Sequence, residues 1–174
     1  MSKANSMQPN IMKSAMHNGL ILGVIFSVNF LLSISKITAL ILFTYVIAVI
    51  ILVVLYKIAI RFRDTECEGT ITYGRAFLYI ILLFFYAALI STVVKFIYLR
   101  FIDQSYLDSI FQETMKLMET LKFPMNSVEI ERTENMFKPL NFSLLYIWSN
   151  LILGTFVGLI MAAFIKKEKN IFEQ

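Results

Sequence analysis

The sequence is poor in the residues that build most active sites. It has one cysteine, Cys67, and one histidine, His17. A single cysteine excludes an intramolecular disulfide and a cysteine-based metal cluster. A single histidine leaves the usual zinc sites and the Ser-His-Asp triad without their parts. Charge is scarce as well. Asp, Glu, Lys and Arg make up 16% of the 174 residues, against about 25% in soluble domains. No aspartate or glutamate lies deep in a long apolar run. A proton-coupled transporter usually needs such a carboxylate, so that class is disfavoured.

Apolar residues are what the chain has in excess. They make up 58% of it, and the mean hydropathy is +0.72. They gather into four runs, 15–35, 37–60, 76–99 and 142–165. Each is long enough to cross a bilayer core, which takes about 20 apolar residues. The runs are continuous and lack the alternation of barrel strands, so they are predicted to be helices. Helices also satisfy their own backbone hydrogen bonds in lipid. The predicted fold class is therefore an all-α membrane protein with four transmembrane helices. It consists of a tail over 1–14, a membrane domain over 15–165 with an outer loop over 100–141, and a basic tail over 166–174. Lys3, Lys13 and the Ser33-Ile34-Ser35 stretch give the first run some features of a signal peptide. The second run starts at Ile37 with almost no spacer, which favours an uncleaved helical hairpin.

Basic residues set the expected orientation. Lys3, Lys13, Lys57, Arg61, Arg63, Arg75, Lys166, Lys167 and Lys169 gather on one side. The other side has Lys36 and the third loop, with five basic and seven acidic residues. Arg61, Arg63, Arg75, Lys166 and Lys167 are the main topology determinants, and both termini are expected in the cytoplasm. The net charge of +4 flanks the apolar runs and forms no separate basic face, so no nucleic-acid partner is expected.

The third loop is too long for a simple connector. Asp103 and Ser105 offer N-cap chemistry. Leu107, Ile110, Phe111, Leu117, Met118 and Leu121 then trace one apolar stripe among charged residues, which predicts an amphipathic helix broken at Pro124. Asn126-Ser127-Val128-Glu129 has capping-box spacing and opens a second helix, which Pro139 is expected to end. This hairpin is expected to lie on the membrane surface, with a partner-binding or gating cap as its rival.

Polar residues inside the runs are few. Lys57 and Lys95 lie one turn from run ends and are expected to snorkel to an interface. Gly19 and Gly23 on the first run, and Gly154 and Gly158 on the last, have the GxxxG spacing that permits close helix approach. Asn29 shares a face of the first run with Asn18, and Asn150 shares one of the last run with Gly154 and Gly158. The four glycines, Asn29 and Asn150 are the helix-packing candidates, and the first and fourth membrane helices are expected to meet along them. The rival is a polar path lined by Asn18, Asn29 and Asn150. His17 is read as a polar anchor at the membrane edge, with pH sensing as the alternative. Trp148, Tyr73, Tyr98, Tyr106 and Tyr146 are expected in an aromatic belt. Asp64, Glu66, Cys67 and Glu68 share a short stretch with three arginines but match no metal-binding spacing.

Several segments resemble a family. Gly19-Leu20-Ile21-Leu22-Gly23 opens the first run, and Thr70-Ile71-Thr72-Tyr73-Gly74-Arg75-Ala76-Phe77 leads into the third. Tyr98 and Phe101-Ile102-Asp103 follow the third run, and Gly158-Leu159-Ile160-Met161-Ala162-Ala163-Phe164-Ile165-Lys166-Lys167 closes the fourth. Together they resemble a bacterial membrane family named domain of unknown function 4199, across 14–169. Members often have a proline where this chain has Gln104. The resemblance implies a four-helix inner-membrane protein and no activity. No enzyme activity, cofactor or metal is expected. A structural, regulatory or assembly component acting through protein contacts is expected, as a homo-oligomer or with a membrane-protein partner in the bilayer. The alternative is a small oligomeric transporter or channel with an Asn-lined path.

Overall fold

The computed structural model describes residues 10–168. Lys3, Lys169 and most of both predicted tails lie outside the described residues. Six α-helices follow in order: α1 (Ile11–Ser33), α2 (Thr38–Glu66), α3 (Tyr73–Ile97), α4 (Ser105–Thr120), α5 (Ser127–Met136) and α6 (Pro139–Ile165). A π-helical turn, Tyr98–Ile102, extends α3. Helices α1, α2, α3 with its extension, and α6 are long and apolar enough to cross a membrane. The fold is an all-α, multi-pass membrane architecture with a helical hairpin, α4–α5, between the third and fourth spans.

The element ends differ from the sequence reading for local reasons. Helix α2 runs on to Glu66, so Arg61 and Arg63 are helical rather than in a loop. Pro139 starts α6 instead of ending α5. Its fixed φ and missing N–H suit a first helical turn. Asp103 caps α4, its Oδ1 accepting from Tyr106 N (3.1 Å) and Ser105 Oγ (2.9 Å). The Asn126–Glu129 capping box forms in both directions at 2.9 Å. Helix α4 stops before Pro124. Phe123 N donates to Met118 O, and Lys122 N to Glu119 O, with Lys122 left-handed at φ 53°. That is a Schellman stop, which glycine usually occupies.

The third membrane helix is the hub. In α3, 44% of the most apolar window is buried, against 11% in α2. Helix α1 packs along α3 in the parallel sense, with Ser14 beside Tyr79 and Gly19 beside Tyr86. Helix α6 packs antiparallel on another face, with Gly154 against Phe84 and Gly158 against Phe77. A Cβ on Gly19 would lie 2.6 Å from Tyr86 Cβ, and one on Gly154 would lie 2.7 Å from Phe84 Cβ. A Cβ on Gly23 would meet Ile90 Cβ at 2.8 Å.

The expected seam between the first and fourth membrane helices is therefore corrected. Both glycine faces close on α3, and α1 and α6 lie on either side of it. GxxxG marks a face that admits close approach but does not name the neighbour. Phe84, Tyr86 and Ile90 supply the bulk that fills both faces.

The terminal end of the bundle, where α1 starts and α6 stops, is clasped by polar contacts. Ile71 and Lys167 exchange both backbone hydrogen bonds, at 2.9 and 3.0 Å. Arg63 Nη1 donates to Ile165 O (3.2 Å), and Tyr73 OH donates to Leu159 O (3.0 Å). At the opposite end, Leu107 of α4 is buried with Phe30, Ile34 and Leu99. Phe137 links Phe111 to Phe142 through ring contacts of 5.7 and 5.9 Å.

Candidate functional site

Toward the hairpin end, three helices bring their polar residues together. Helix α3 presents Ser91, Thr92 and Lys95, spaced to share one face. Helix α1 contributes Asn29 and Phe30, and α6 contributes Ser143, Tyr146 and Asn150. Lys95 is buried, only 6% exposed. Its Nζ lies 4.4 Å from the Phe30 ring centre and 2.9 Å from that of Tyr146. Among the described residues the ion pairs are Lys36–Asp103 and Arg63–Asp64, so no carboxylate pairs with Lys95.

Snorkelling is overturned for Lys95, while Lys57 is exposed. The π-helical turn continues α3 to Ile102. Lys95 therefore sits about two turns from the helix end rather than one. Tyr146 likewise leaves the expected aromatic belt and caps the ammonium from the inside. Each ring face gives about 2 kcal/mol when desolvated, which offsets part of the several kcal/mol that removing an ammonium from water costs.

Beside Tyr146 lies a cavity of about 280 Å³. Asn29 and Asn150 are its amide lining, with Phe26, Phe84 and Leu153 among its apolar walls. Asn150 Nδ2 donates to Tyr146 O (2.8 Å), and Thr92 Oγ1 to Ser143 O (3.4 Å). Asn29 Oδ1 and Ser143 Oγ are buried without a hydrogen-bond partner. A buried polar atom left unpaired costs about 1–3 kcal/mol. The cleft can therefore accept a small polar group from solvent or a ligand.

The structure splits the other candidates between places. Asn29 and Asn150 share this cleft. Asn18 lies at the terminal end instead, its Nδ2 donating to Tyr79 OH (3.0 Å). Gly19, Gly23, Gly154 and Gly158 fix how closely α1 and α6 approach α3 and do not line this cleft. Arg61, Arg63, Arg75, Lys166 and Lys167 all lie at the terminal end, where Arg63 pairs with Asp64 at 2.7 Å. Trp148 is 67% exposed on α6. Sequence reading passed over Ser91 and Tyr146 as site residues. The shared face of Ser91, Thr92 and Lys95 was the available signal. Among the described residues, no three His, Cys, Asp or Glu side chains come together as a metal site.

Residues 17–167 match the family described as Protein of unknown function (DUF4199). The chain belongs to that family. No curated protein and no solved structure matches it. In this DUF4199 protein, the match spans all four membrane helices and the hairpin between them.

Proposed function

We propose that this protein is a non-enzymatic component of a bacterial cytoplasmic membrane, acting through protein contacts in a structural, regulatory or assembly role. Both termini face the cytoplasm and the α4–α5 hairpin faces out. The partner is a second copy or another membrane protein, held within the lipid bilayer, and no nucleic acid takes part. One observation carries this reading. Helices α4 and α5 do not close on each other but leave a groove of about 720 Å³, in which Met115, Met118, Phe123, Met125 and Ile130 are flanked by Gln112, Glu113, Lys116 and Glu119. Methionine-rich surfaces adapt to partner shapes, and a groove with an apolar floor and charged edges suits an amphipathic partner helix. Leu117, Leu121 and Phe123 are more than half exposed beside it. The orientation rests on the five basic topology determinants at the terminal end.

A photo-crosslinking side chain at Leu117, in native membranes, tests the reading. A discrete protein adduct, to a second copy or to a partner, is expected. Adducts with lipid alone would mean that the hairpin merely lies on the membrane surface.

The second reading is a small oligomeric transporter or channel. The shared cleft of Asn29 and Asn150 favours it. Solute flux in proteoliposomes that is lost in Asn29→Leu and Asn150→Leu would support this reading. Unaltered flux would remove the proposed path.

A further inference from the structure

The terminal end holds a second polar cavity, about 540 Å³, between the start of α1 and the end of α2. It shares no lining residue with the Asn29–Asn150 cleft. Lys13 and His17 reach it from successive turns of α1, and Arg61 from α2. Glu66 is its one carboxylate. None of these four makes an ion pair within 4.0 Å among the described residues, so two cations, an imidazole and one carboxylate face a common space without a charge partner.

The floor of the cavity is built rather than incidental. Ser14, 8% exposed, donates from Oγ to Glu66 Oε1 at 2.7 Å. Ser14 Oγ also lies 3.3 Å from the fully buried Tyr79 hydroxyl, and Phe62 stacks on Tyr79 at 3.9 Å. This network fixes one oxygen of Glu66 and leaves the other free to accept. The inner wall changes character. Ile21 lies one turn beyond His17, and Ile58 one turn before Arg61 on the antiparallel α2, so both sit deeper toward the hydrocarbon. The cavity therefore passes from a charged rim to an apolar groove along the membrane normal.

We propose that this cavity binds the headgroup of an aminophospholipid. Lys13, His17 and Arg61 hold the phosphodiester, Glu66 accepts from the primary ammonium, and an acyl chain follows Ile21 and Ile58. Cations alone would serve any anionic lipid. Glu66 is the residue that selects, because a primary ammonium donates hydrogen bonds and a trimethylammonium does not. The apolar inner wall favours a lipid over a free phosphate ester.

Native mass spectrometry of the full chain tests this in micelles doped equally with phosphatidylethanolamine, phosphatidylcholine and phosphatidylglycerol. Retention of phosphatidylethanolamine about tenfold above phosphatidylcholine is expected, the selectivity of one charge-assisted hydrogen bond. Glu66→Gln keeps an acceptor for Ser14 and should bring phosphatidylethanolamine down to the level of phosphatidylcholine. Lys13→Gln with Arg61→Gln should lower retention of all three. Equal retention of phosphatidylethanolamine and phosphatidylcholine by the wild type, or an unchanged preference in Glu66→Gln, overturns the proposal. Free phosphoethanolamine binding as tightly as the lipid would overturn the assignment to a lipid. These results are independent of crosslinking at Leu117, which lies at the opposite end of the bundle.

Discussion

At the residue scale, side-chain size and charge make separate predictions. Gly19→Ala and Gly154→Ala place a Cβ within 2.7 Å of a neighbouring atom on α3. Each should cost about 1–3 kcal/mol through overpacking. Gly74→Ala meets nothing within 4 Å and should leave stability unchanged or higher. Reversible unfolding in mixed micelles reads all three. Equal effects would mean that the α3 seam is not tight. Lys95→Met keeps the side chain's length and removes a buried charge with no carboxylate partner. It should raise stability in the same assay, since replacing buried charge with apolar bulk is often stabilising by about 1–4 kcal/mol. A large loss instead would mean that the ammonium makes a compensating contact. Cys67, in the loop between α2 and α3, is half-buried. Burial pushes its thiol pKa up, and the Arg75 charge pulls it partly back. The thiolate fraction near neutral pH is therefore low, and alkylation should lag behind that of free cysteine at pH 7. The lag should narrow as pH rises through the thiol's elevated pKa. Labelling as fast as free cysteine at pH 7 would contradict the burial.

At the element scale, local sequence signals were the most legible. The capping box at Asn126 and Glu129 forms as its spacing predicts, because a cap needs only residues three apart. The long apolar runs became helices for the same reason: their composition requires internal hydrogen bonding in lipid. What stayed hidden depended on distant neighbours. The glycine faces of α1 and α6 were visible, but not that Phe84, Tyr86 and Ile90 of α3 would fill them. Lys95 was judged by its distance from the end of an apolar run, and the π-helical turn moved that end. The Asn29–Asn150 pairing across one cleft needed the tertiary fold, whereas the two amides were legible singly. The hairpin offers its own test. Lys122 holds a left-handed conformation that costs a non-glycine residue about 1 kcal/mol. Lys122→Gly should therefore slow amide hydrogen exchange in the last turn of α4. Faster exchange would contradict the Schellman stop.

At the scale of the whole molecule, two polar sites lie at different depths along the helical bundle. The terminal end is closed by the Ile71–Lys167 pairing and the Arg63–Ile165 contact, and it holds the proposed headgroup site. The amide cleft lies near the middle of the membrane helices, and the other end carries the open methionine groove. Each proposed role needs its end to face a particular side of the membrane. That sidedness depends on four crossings and on basic residues gathered at the terminal end. Reporter fusions at Asn126 and after Gln174, assayed in intact cells, measure it directly. An extracytoplasmic signal from Asn126 and a cytoplasmic signal after Gln174 are predicted. Signals from the same side, or the reverse pair, would contradict the proposed topology.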